Sequence, residues 1–71
     1  MSTKKQILKM LEKIPDDEPL FLLRGQDRLA SGLVKYWAGA ATARGVRAPK
    51  VDEARACAEA METWTPRRWP D

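Results

Sequence analysis

The chain has 71 residues, 44% apolar and 32% charged, with a net charge of +3 at neutral pH. That size suits one small domain (1–71) and excludes a second, and it leaves so little interior that burial and chain entropy nearly cancel unless copies associate. One cysteine and no histidine exclude an internal disulfide, a histidine triad and a histidine zinc site, and no apolar run approaches the roughly 20 residues of a membrane span.

The start MSTKKQILKMLEK lacks the uninterrupted apolar core of a signal peptide, so a cytoplasmic protein without membrane contact is expected. Ser2 or Thr3 can cap a first helix over residues 1–14, in which Ile7, Leu8, Leu11 and Ile14 share a face with Met10 at its margin and the lysines lie opposite. Pro15 disfavours helical geometry at Ile14, and Pro-Asp-Asp-Glu-Pro reads as an acidic, turn-forming connector. Leu20, Phe21, Leu22 and Leu23 follow as an apolar run bounded by Pro19 and Gly25. It is too short for a helix of its own, and the connector and this extended segment together occupy residues 15–25.

Gln26 or Asp27 can cap a second helix over residues 26–44, with Leu29, Leu33, Tyr36, Trp37, Ala40 and Ala41 at helical spacing and Gly45 as its stop. Gly32 and Gly39 each disfavour that helix by about 1 kcal/mol relative to alanine, so a close backbone approach or a bend is expected there. Pro49 suits the first turn of a third helix over residues 49–65, striped by Val51, Ala54, Cys57, Ala58, Met61 and Trp64. Pro66 stops it and leaves a tail over residues 66–71.

The expected fold is all-α: a three-helix domain with a short extended segment between helices 1 and 2 and a docked C-terminal tail. A lone four-residue strand finds no ladder partner inside such a monomer, so Leu20 to Arg24 is expected either at a homodimer interface or folded irregularly over the core. Trp37 and Trp64 lie on apolar stripes and are expected in the core, as is Cys57 among small residues. Trp69, behind Arg67 and Arg68, is expected to dock on its own chain or on another copy, or to belong to a partner surface.

No catalytic, metal or cofactor motif can be written through the chain. Asp16, Asp17 and Glu18 lack the glycine and ligand spacing of a calcium loop. Asp52, Glu53, Glu59 and Glu62 fall mainly on the outer face of helix 3, and the glycines spell neither a dinucleotide fingerprint nor a Walker loop. The segment Arg24-Gly25-Gln26-Asp27-Arg28 sets two guanidinium groups and an amide before helix 2, whose N-terminal amides also favour an anion. Those arginines either serve an anion or pair with Asp27 and the acidic connector. Lys35 and Tyr36, beside Trp37, extend the candidate site as a cation and a stacking ring. Helices 2 and 3 make a poor helix-turn-helix, because helix 3 is net negative; if nucleic acid is bound, helix 2 and the lysine face of helix 1 are the better candidates.

The residues DEPLFLLRGQD, then KYWA, GV, EARA, AMETW and the terminal WPD, resemble a family of small proteins of proteobacterial genomes, phages and prophages, over most of residues 14–71. The resemblance carries no catalytic motif and assigns no active residue. It implies a regulator or an inhibitor of host defence that sequesters a nucleotide signal or covers a host protein. Together, residues and resemblance lead to the expectation of a non-enzymatic, homo-oligomeric binder that holds an anionic ligand or acidic partner through Arg24, Gln26, Arg28, Lys35 and Tyr36. Leu20, Phe21, Leu22, Leu23 and Trp69 would make its subunit contacts. The alternatives are a small DNA-binding or transcription-regulating protein and a structural oligomerisation subunit.

Overall fold

A computed structural model describes residues 3–70. It contains three helices: α1 (Lys4–Leu11), α2 (Ala30–Ala43) and α3 (Ala48–Thr63). The protein is an all-α three-helix domain. No helix among the described residues is long and apolar enough to cross a membrane.

Every helix end but the start of α2 has a local chemical reason. Thr3 caps α1, and its backbone N–H donates to Gln6 Oε1 at 2.9 Å, which is the returning half of a capping box. The α-helix stops at Leu11 rather than residue 14, because Lys13 and Ile14 bond three residues back, to Met10 and Leu11, in tight turns before Pro15. At the end of α2, Gly45 takes φ +81°, its N–H donates to Thr42 O, and Val46 N–H reaches Ala41 O. These two bonds form a Schellman motif, which satisfies carbonyls that the helix end would otherwise leave open. Ala48 and Pro49 open α3, where a missing proline N–H costs nothing, and Trp64 leaves it in extended geometry.

The start of α2 differs most from the sequence reading. The helix begins at Ala30, not residue 26, because the tail has claimed the backbone ahead of it. Arg28 N–H donates to Arg68 O at 3.0 Å and Arg68 N–H to Gln26 O at 2.7 Å, forming an isolated parallel bridge between Asp27 and Arg68. An Arg28 N–H spent on the tail cannot close a helical turn onto Arg24 O. Asp27 then ends the turn, its Oδ1 accepting from Leu29 N–H at 2.8 Å and its carbonyl from Ala30 N–H at 3.1 Å.

The four residues between α2 and α3 fold these helices into a hairpin, and its seam is built from small side chains. Ala30, Ser31, Ala38 and Ala41 of α2 and Val51 and Ala58 of α3 are buried, with Ala54 packed against them. Side chains this short let helix axes approach to the low end of the usual 8–10 Å. The consequence is a rotated α2. Its large apolar stripe of Leu29, Leu33, Tyr36 and Trp37 faces away from the seam, with Trp37 45% exposed. Trp64 is 59% exposed, so neither tryptophan is in the core as expected. A short-residue seam and a long-residue stripe cannot both face α3, and the seam wins.

Gly32 and Gly39 have no close neighbour. A Cβ placed on either meets no atom within 4 Å, so no backbone approach within the chain explains them. α1 packs against neither α2 nor α3, and Leu8, Met10 and Leu11 on it are exposed. Leu20 to Leu23 form neither helix nor strand, and their backbone groups bond to no other backbone among the described residues.

Candidate anion-binding site

Gly25 brings the chain against the end of α3: a Cβ built there would lie 3.6 Å from Trp64 Cβ and Cγ, an ordinary contact distance. From this point Gln26 to Arg28 run beside the tail, held by the two backbone bonds to Arg68. The clasp brings Arg24, Gln26, Asp27, Arg68, Trp69, Leu22 and Pro70 around a small pocket of about 150 Å³. Above it the Arg28 guanidinium stacks over Trp69, with Cζ 5.5 Å from the ring centroid. That separation lies within cation–π range.

The charge here is unbalanced. Among the described residues Arg24, Arg28, Arg67 and Arg68 form no ion pair, so neither the acidic connector nor Asp27 neutralises them. Asp27 is the one carboxylate in the pocket wall, and its Oδ1 is engaged by Leu29 N–H. Arg67, next in the chain to Arg68 but not in the pocket wall, has an Nε that is buried without a hydrogen-bond partner, a condition that usually costs about 1–3 kcal/mol.

Of the residues expected from sequence, Arg24 and Gln26 line this pocket and Arg28 sits over its Trp69 wall. Lys35 and Tyr36 are elsewhere. Lys35 Nζ donates to Glu62 Oε1 across the α2–α3 hairpin, and Tyr36 is 78% exposed and lines neither cavity. Of the amides at the start of α2, those of Leu29 and Ala30 are already bonded to Asp27. Sequence reading missed Arg68 as a ligand group and placed Trp69 only among contact residues. The signal was present in Arg67-Arg68-Trp69, but its position beside Gln26 depends on a long-range bridge.

A second cavity is apolar. A groove of about 390 Å³ runs between the start of α1 and the end of α3, lined by Ile7, Leu23, Cys57, Met61 and Trp64, with Lys4 and Arg24 also in its wall. Cys57 is half-buried there and not enclosed in the seam. Ala58 beside it is enclosed in the seam, so Cys57 lies on the face of α3 that turns toward the open groove.

Fold and site together define a small all-α protein with a cationic, aromatic-bearing end. No protein-family model, curated protein or solved structure matches the chain.

Proposed function

We propose that this protein is a non-enzymatic binder that sequesters an anionic, nucleotide-like ligand at Arg24, Gln26, Arg28, Arg68 and Trp69. The observation that carries this reading is the Arg28–Trp69 stack beside guanidinium groups that have no carboxylate partner. Arginine forks suit phosphate oxygens, and an aromatic face suits a base. Trp69 is 64% exposed, so part of its surface remains open to stacking. The pocket of about 150 Å³ is below the roughly 300–1,000 Å³ of a full ligand site, which fits one phosphate or one base edge rather than an enclosed nucleotide. The rest of the ligand would be covered by a neighbouring subunit. In this reading the sequestration would serve to inhibit host defence, which is what the sequence's resemblance to phage and prophage proteins implies.

Calorimetric titration with adenosine diphosphate, compared with a duplex DNA at about 50 and 200 mM salt, tests it. Saturable nucleotide binding is expected. Trp69→Ala should weaken it by a factor of about 5–150, the worth of one base–aromatic stack, and Arg28→Ala by at least as much. No nucleotide binding, together with DNA binding that falls about 10³-fold or more between the two salts, would replace this reading with phosphate-backbone recognition.

A further inference from the structure

We propose that the apolar groove between α1 and α3 receives Phe21 of a second copy of this chain, in a two-fold pair in which each copy gives one ring and accepts one. The inference stands apart from the anion-binding reading and would survive its failure.

The first argument is area. A folded monomer of 8.0 kDa ordinarily exposes about 4,450 Å². This chain exposes 6227 Å², about 1,800 Å² more. An ordinary specific interface removes only about 800 Å² per partner, whereas obligate homodimers remove about 1,000–2,500 Å². The excess thus has the size of an obligate interface. The interior points the same way, since Val51 is the largest side chain in the buried core. A chain with that interior needs added burial in order to fold at all, and another copy is the partner present wherever the chain is made.

The second argument is shape. Phe21 is 87% exposed between Leu20 and Leu22, also exposed, while two residues on Leu23 already lines the groove. Knob and groove are therefore neighbours on one surface. A two-fold axis beside this segment sets each knob against the other copy's groove, which is the self-complementary arrangement of an isologous interface. The groove's volume of about 390 Å³ gives room for an aromatic ring and part of a flanking leucine. It also separates α1 from the hairpin, so a ring seated there would join Ile7 on one wall to Met61 and Trp64 on the other.

The third argument is charge. Asp16, Asp17 and Glu18 lie three to five residues before Phe21, exposed and in no ion pair among the described residues. Lys4 and Arg24 line the groove and Lys5 and Lys9 extend the basic side of α1, also without ion pairs among the described residues. Docking Phe21 of one copy carries its acidic connector toward the basic α1 of the other. Opposite charges at the rim favour this register over like-to-like alternatives.

Cys57 in the groove wall makes the arrangement directly testable. Wild-type protein should sediment as a dimer at micromolar concentration. F21C/C57S, mixed with wild type, unfolded, refolded together and oxidised gently, should give a covalent hybrid dimer whose tryptic map joins position 21 of one chain to position 57 of the other. Phe21→Ser should raise the dimer dissociation constant roughly 100-fold or more, because both symmetric contacts are lost together. A wild-type monomer would overturn the proposal. So would a dimer that yields no 21–57 link, or a 21–57 bridge in F21C that runs within one chain and leaves it monomeric on a non-reducing gel.

Discussion

Replacing Gly32 and Gly39 by alanine should make the protein more stable. Both sit inside α2, both are exposed, and a methyl group on either meets nothing within 4 Å. Neither has the positive φ that would penalise a side chain; among the described residues Gly45 is the glycine that does. Each substitution then recovers the helix cost of glycine, about 0.8–1 kcal/mol, mainly by restricting the unfolded chain. The two sites are one heptad apart along the helix, about 10 Å, so the gains add to about 1.5–2 kcal/mol. For a domain of this size each kcal/mol raises Tm by about 4–8 °C, so the double variant should melt about 6–16 °C higher. Thermal unfolding followed by far-ultraviolet circular dichroism measures this, with wild type and variant at one protomer concentration so that association does not shift the comparison. A lower Tm for either variant would refute the reasoning and would mean that another chain's backbone comes against this face of α2.

Two further substitutions probe features of the hairpin. Gly45→Ala forces a Cβ into a φ of +81° and should cost about 1–2 kcal/mol, lowering Tm by several degrees; an unchanged Tm would mean that the Schellman turn rearranges freely. The Lys35–Glu62 pair is half-exposed on both sides, at 49% and 41%, so a double-mutant cycle should return a coupling below about 1 kcal/mol that shrinks further in about 1 M salt. A larger, salt-insensitive coupling would show the pair to be shielded from water by something packed over it.

Helix boundaries were readable where a proline or glycine marks them. Pro15, Gly45, Pro49 and Pro66 each act within a turn of their own position, and the ends of α1, α2 and α3 fall within three residues of the places they indicate. The start of α2 was not readable, because its cause is the bond from Arg28 N–H to Arg68 O, and no local pattern announces a partner so distant in the chain. The face of α2 was misread for a different reason. Periodicity finds Leu29, Leu33, Tyr36, Trp37, Ala40 and Ala41 on one stripe, of which only Ala41 is buried in the seam, and it does not tell whether the neighbouring helix prefers the large residues or the alanines. Alanine and serine allow the closer approach, and the large residues were left outside. The same limit applies to the candidate site. Arg24, Gln26 and Arg28 stand together in the sequence, whereas Lys35 was drawn in by nearness to Tyr36 and is instead held by Glu62.

The clasp between Gln26–Arg28 and Arg68 also sets an order of assembly during translation. The arginines at 24 and 28 leave the ribosome well before Arg68 and Trp69, by roughly 2–8 s at ~5–20 residues per second. During that interval Gln26 and Arg28 have no tail to bond with, and nothing prevents the α2 turn from winding backward through them. Completion of the cationic end therefore requires the nascent chain to give up any such early winding, and a nascent chain paused in α3 would have Arg28 but not the Trp69 ring it stacks on.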